Sequence, residues 1–63
     1  MQYRRLIKLP EVKHRTGLSR SGIYDKVAKK TFPAPVPTGE RSVAWVEDEV
    51  QAWIDDQINR RIA

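Results

Sequence analysis

Side chains that can hydrogen-bond to nucleic-acid bases and phosphates are concentrated in one short segment of the chain. Arg20 carries a guanidinium that can bond both O6 and N7 of guanine. Ser21 and Tyr24 supply hydroxyls suited to a phosphate or a base edge, and Ser19 and Lys26 flank them. The alternative is that these are solvated surface groups, with the ring of Tyr24 packed in a core. The residue types favour contact with double-stranded DNA.

A second pair of such residues, Arg41 and Ser42, follows Gly39 in a turn-forming segment. Both can reach a phosphate, or the minor groove beside the place where the first segment contacts DNA. The alternative is a turn arginine that pairs with the adjacent Glu40. Other basic residues are interpreted as general attractors of phosphate: Lys13, Arg15, Lys29 and Lys30.

The residue inventory does not favour catalysis or metal binding. The chain has no cysteine and a single histidine, His14, which we interpret as a surface residue. It also lacks a glycine-rich phosphate loop and a serine, a histidine and an acid placed so that they could form a catalytic set. Three acids at 47–49 are better explained as residues that start a helix. We therefore expect no enzymatic activity, no cofactor and no metal.

Charge is distributed unevenly along the chain, whose net charge is +4. Residues 1–30 contain nine Lys or Arg against two acids, a net charge of +7, whereas residues 31–63 contain three against six, a net charge of −3. The first part should attract a polyanion by neutralising its phosphates and releasing counterions.

Hydropathy indicates a cytoplasmic protein without a membrane partner. No apolar run approaches the roughly 18 residues that a membrane span requires. Residues 1–5 lack the apolar stretch of a secretory signal. At 63 residues, we expect a single domain over 1–63 that needs an efficient core.

Two short helices around a tight turn are predicted to position the polar segment. Pro10 suits the first turn of a helix over 10–16, and Gly17 suits the left-handed end of that helix. Ser19 is a good N-cap for a second helix over 20–30.

Ile23 and Val27 lie at i and i+4 in this second helix and should face inward. That orientation leaves Arg20, Ser21, Tyr24 and Lys26 for contact. A helix, a short turn containing glycine and a second helix form a helix-turn-helix, whose second helix enters the major groove.

The second half of the chain is predicted to form a hairpin and a third helix. Prolines at 33, 35 and 37 favour extended backbone, so 35–46 should be a two-stranded hairpin with its tip near Gly39. The helix should run from about 47 to 61, with acids in its first turn, arginines in its last, and one apolar stripe: Val46, Val50, Trp53, Ile54, Ile58 and Ile62. Trp45 should tie the hairpin to this helix. The predicted fold is mainly α with a small β-hairpin, a winged helix-turn-helix with the hairpin as wing.

These motifs together resemble the AlpA family of phage and prophage regulators, which is related to excisionases and to MerR-type winged domains. The most specific pieces are Ser-Arg-Ser-x-Ile-Tyr at 19–24 and Arg-Ser-x-x-Trp at 41–45, and further similarity lies at 5–12, 16–18, 32–36 and 49–54. The resemblance implies that Ser19, Arg20, Ser21 and Tyr24 belong to the DNA-reading helix, and Arg41 to the wing.

The sequence departs from the family pattern at several positions of the reading helix. Asp25 and Lys26 stand where the family commonly has Arg-Leu, and Lys30 stands where a helix-ending glycine is common. An acid in place of a base weakens phosphate contact there and alters the preferred sequence.

The leading hypothesis is a sequence-specific transcriptional regulator associated with a prophage. A single small domain reads a short site weakly, so we expect cooperative homo-oligomers on repeated sites. One alternative is an excisionase-type factor that bends DNA for a recombinase. An alternative of another class is a protein-interaction module or antitoxin whose basic half binds an acidic partner.

Overall fold

The computed structural model describes residues 4–61 and confirms a mainly helical chain with a small antiparallel sheet. In chain order the elements are β1 (Leu6–Ile7), α1 (Leu9–Thr16), α2 (Arg20–Ala28), β2 (Val36–Pro37), β3 (Val43–Val46) and α3 (Glu47–Arg60). The longest helix, α3, has 14 residues. Within the described range, no helix combines the length and the apolar character needed to cross a bilayer.

The turn between α1 and α2 has the geometry that its residues predict. Gly17 ends α1 in the left-handed region, at φ 74°, and its N–H donates to the carbonyl of Lys13. A β-carbon added to Gly17 would meet no atom within 4 Å, so the backbone conformation is what favours glycine here. The hydroxyl of Thr16 donates to the carbonyl of Val12 at 2.8 Å and accepts the N–H of Leu18 at 3.2 Å. The corner is therefore held by short-range hydrogen bonds.

Helix α2 begins as predicted but ends earlier than the predicted residue 30. Its N-cap is Ser19, whose Oγ accepts the N–H of Gly22 at 3.1 Å. At the other end Lys30 has a φ of 63°, in the left-handed region. The N–H groups of Lys30 and Thr31 donate to the carbonyls of Val27 and Lys26, at 3.0 and 2.8 Å. This is the Schellman arrangement, with lysine where glycine is usual.

Across residues 4–61 the sheet has three strands, in the order β1-β3-β2, and not the two that were predicted. The predicted hairpin is present: Val36 is paired with Ala44, and the N–H of Thr38 donates to the carbonyl of Ser42 at 2.8 Å. The additional strand, β1, pairs antiparallel with β3 and aligns Ile7 with Trp45. A strand of two residues has no detectable periodicity, which is why the sequence did not predict it.

The core draws a side chain from almost every element. It consists of Ile7, Val12, Ile23, Phe32, Trp45 and Val50, each at most 5% exposed. The indole N–H of Trp45 donates to the carbonyl of Pro33, which ties the wing to the segment after α2. The indole N–H of Trp53 donates to the carbonyl of Thr31, which ties α3 to the same segment, and the Trp53 ring meets Phe32 edge-on.

The apolar stripe of α3 is buried only along its first part. Val50 is fully buried, Trp53 and Ile54 are half-buried, and Ile58 is 48% exposed. The predicted last member, Ile62, lies outside the described residues.

Candidate nucleic-acid interface

One side of α2 points to solvent, and we call it the outer face. Ile23, on the opposite side, is fully buried, as predicted. At about 100° per residue, Ser21 and Asp25 lie near the middle of the exposed side. The outer face consists of the exposed residues Arg20, Ser21, Asp25, Ala28 and Lys29.

Arg20 is exposed at the first position of α2, and its guanidinium lies over an aromatic ring. The guanidinium carbon is 5.6 Å from the ring centroid of Tyr24. The Tyr24 ring is half-buried and meets Trp45 edge-on, with centroids 5.9 Å apart. A cation over a ring at this distance is attracted to it, which restricts the arginine without burying it. The fully buried Trp45 thus supports Tyr24, and Tyr24 supports Arg20.

For Tyr24 the sequence left two roles open, DNA contact and core packing. The ring packs against the core cluster, so the second role is present in the fold. Contact of its hydroxyl with DNA stays a prediction.

The two serines at the start of α2 differ in what they do within the protein. Ser19 caps the helix through its Oγ, which lies 3.4 Å from the Oγ of Ser21. Ser21 is exposed in the first turn of the helix. Because N–H groups in the first turn of a helix lack intrahelical acceptors, this end of α2 suits an anion such as phosphate.

Lys26 was predicted beside these residues, and the structure places it on the flank of the helix. It is half-buried and about 100° around the helix from Asp25. There it lines an open groove of about 750 Å³ between the end of α2 and α3, whose other walls include Trp53 and Arg60. The structure does not bring Lys26 onto the outer face.

Arg41 and Ser42 are exposed in the loop between β2 and β3. The alternative of a pair between Arg41 and Glu40 finds no support, since the ion pairs within residues 4–61 do not include it. The wing therefore presents an arginine and a hydroxyl to solvent.

Arg15, interpreted from the sequence as a general attractor of phosphate, is instead committed to two carboxylates. Its Nε lies 2.7 Å from Glu11, and its Nη2 lies 2.7 Å from Glu47. The side chain of Arg15 is 25% exposed. Because the N–H of Glu47 also donates to the carbonyl of Arg5, this cluster fastens the start of α3 to α1 and to the chain before β1.

The pKa values in this cluster follow from those contacts. The hydrogen bond from Arg15 holds the pKa of Glu11 below its usual value, against a smaller opposing effect of desolvation. Hydrogen bonds to Glu11 and Glu47 raise the pKa of Arg15. The spacing of Glu11 and Arg15, four residues apart on one helix, is a sequence signal that could have revealed their pairing. No comparable signal points to Glu47.

Comparison with known proteins gives the family. The family model described as the prophage CP4-57 regulatory protein (AlpA) matches residues 5–58. The uncharacterized protein ORF88 of Enterobacteria phage P4 is 46% identical over 57 residues, which is 90% of this chain and 65% of the phage protein. The chain thus spans less than two thirds of that relative's length.

A second relative has a name that states a function. The DNA-binding transcriptional activator AlpA of Escherichia coli K12 is 36% identical over 59 residues, covering 84% of each chain. The family membership predicted from the motifs at 19–24 and 41–45 is confirmed. The chain belongs to the AlpA family of phage and prophage regulatory proteins.

Proposed function

We propose that this protein is a sequence-specific DNA-binding transcriptional regulator, associated with a prophage, that inserts α2 into the major groove. The observation that carries the proposal is the outer face of α2, where Arg20 is exposed at the start of the helix and steadied by Tyr24. The name of the E. coli relative, a DNA-binding transcriptional activator, supports the same function.

Arg20 is the principal base-reading residue in this proposal. A guanidinium recognises guanine through two parallel hydrogen bonds to O6 and N7. Long side chains lose conformational entropy when they are fixed, so a ring that already restricts the guanidinium reduces the cost of forming that geometry. Tyr24 therefore acts as a positioning residue for Arg20. Ser21 and the N–H groups of the first turn that Ser19 does not cap contact a phosphate.

The wing adds contacts beside the groove. Arg41 and Ser42 reach a flanking phosphate or the adjacent minor groove, which fixes the register of α2 on the duplex. Ser19 supports the interface through its cap at the start of α2. Lys26 contributes charge from the flank of the helix.

A single copy of this domain is expected to bind weakly. Helix α2 has nine residues, which corresponds to a length of about 13 Å, enough for only a few base pairs. Specific sites are usually read by two or more such modules. We propose that copies assemble cooperatively on repeated sites in the cytoplasm.

A pair of arginine variants tests the proposal. Binding to prophage and promoter fragments would be measured by fluorescence anisotropy at low and at moderate salt. Arg20→Ala should weaken the preferred site by about 1–3 kcal/mol and relax its selectivity. The matched control is Arg60→Ala, which removes the same charge from an exposed position on α3, 72% accessible.

Equal loss in both variants would show that only overall charge matters and that α2 does not read sequence. Failure of the wild-type protein to bind any duplex at low salt would eliminate DNA binding and leave an acidic protein as the partner to seek. Footprints over recombination sites, with no effect on a promoter fusion, would assign the protein to excision.

A further inference from the structure

The outer face of α2 carries one acidic side chain. Asp25 is the only acid among residues 20–28, in a half of the chain that is otherwise strongly basic. Its side chain is 60% exposed and lies one helical turn after Ser21, near the middle of the outer face. If the outer face meets DNA, this carboxylate meets it too.

The contact of Asp25 within the protein is weak. Its Oδ2 lies 3.1 Å from Nζ of Lys29, four residues later on the same helix. Both side chains are well exposed, at 60% and 68%, and exposed pairs at this spacing add little to stability. Helix stability alone therefore does not account for an acid at this position.

The chemistry of a carboxylate limits what it can bind in the major groove. It repels phosphates, and it accepts hydrogen bonds but donates none. Guanine presents two acceptors there and thymine an acceptor and a methyl group, whereas cytosine presents its N4 amino group as a donor. Adenine presents a donor beside an acceptor, which suits an amide better than a carboxylate.

We propose that Asp25 is a specificity-determining residue that selects cytosine at one position of the DNA site. This inference rests on the proposed function and adds to it the identity of one base. Asp25 comes five residues after Arg20, about 7.5 Å along the helix axis, which exceeds one base step of about 3.4 Å. The two residues therefore read different base pairs, Arg20 a guanine and Asp25 a cytosine.

The test compares Asp25→Asn with Lys29→Ala, which breaks the same ion pair but keeps the carboxylate. Preferred sites would be selected from a randomised duplex with the full chain. Affinities for duplexes that differ only at the cytosine would then be measured by anisotropy. Circular dichroism melts of each protein would verify that all three are folded.

The wild-type protein should prefer cytosine over thymine by about tenfold at this position. Asp25→Asn should lose that preference and bind random-sequence DNA more tightly, because a charge that repels phosphate is removed. Lys29→Ala should keep the preference and bind all sequences more weakly. An improvement in nonspecific affinity together with a loss of selectivity is a result that a purely structural role of Asp25 does not produce.

Three results would overturn the inference. If Asp25→Asn selects the same site as the wild-type protein, Asp25 does not read a base, although the proposed DNA binding stands. If Lys29→Ala loses the cytosine preference to the same extent, the ion pair matters and not the carboxylate. If the wild-type protein binds no duplex at all, the proposed function fails and this inference fails with it.

Discussion

Replacing Lys30 with glycine should make the protein more stable. Lys30 has a φ of 63° at the end of α2, where the N–H groups of residues 30 and 31 close the Schellman arrangement. A residue with a β-carbon pays roughly 1–2 kcal/mol in the left-handed region. Glycine avoids this strain, but its greater freedom in the unfolded chain costs about 0.4–1 kcal/mol.

The middle values of these ranges, about 1.5 and about 0.7 kcal/mol, leave a net stabilisation of about 0.8 kcal/mol for Lys30→Gly. In a domain of this size each kcal/mol corresponds to about 4–8 °C in melting temperature. The variant should therefore melt about 3–6 °C above the wild-type protein. Thermal unfolding followed by circular dichroism measures the shift directly, and urea denaturation gives the corresponding free energy of unfolding.

Lys30→Ala is the matched control, because it removes the same charge and keeps the β-carbon. It should melt close to the wild-type protein, since alanine at the same φ keeps the strain. If the glycine variant melts no higher than the alanine variant, the left-handed conformation of residue 30 does not cost what its φ implies, and the reasoning is wrong.

Two further predictions concern Tyr24 and Arg15. Tyr24→Phe keeps the ring below the Arg20 guanidinium and removes only the hydroxyl, so it should bind the preferred DNA site more tightly than Tyr24→Leu in anisotropy titrations. Tyr24→Leu should bind it several-fold more weakly, and equal losses in both would assign the role to the hydroxyl. Arg15 lowers the pKa of Glu11 in the folded protein. This pair therefore stabilises the fold at pH values above 4.5, the usual pKa of the carboxyl, and the stabilisation is lost as the pH falls through the pKa of the folded state. Arg15→Ala should therefore lower the urea midpoint at pH 7 and differ less from the wild-type protein at about pH 3; a difference that does not change with pH would contradict this account.

Much of the helical framework is predictable from the sequence because its signals act over a few residues. Gly17 and Ser19 specify the turn by backbone conformation and by a side-chain cap, and both adopt those roles. The acids that begin α3 lie in its first turn, as the helix dipole favours. The burial of Ile23 then orients α2, so the exposure of Arg20 and Ser21 also follows from local pattern.

The end of α2 and the first strand were less predictable. Lysine can continue a helix, so the residue itself does not indicate the left-handed backbone found at position 30. Only the family resemblance, in which a helix-ending glycine is common there, pointed to it. Residues 6 and 7 form a strand only because β3 lies beside them. The first strand therefore depends on a partner strand that is distant in sequence.

The sequence by itself determined the order of the helices, the turn between the first two, and the side of α2 that faces solvent. Only the tertiary structure decided that Arg15 is held by Glu47, that Tyr24 rests on Trp45, and that Lys26 lies beside α3. The physical reason is range: caps, helix ends and apolar periodicity act within about two helical turns. Ion pairs and ring contacts between elements exist only after the chain has brought those elements together.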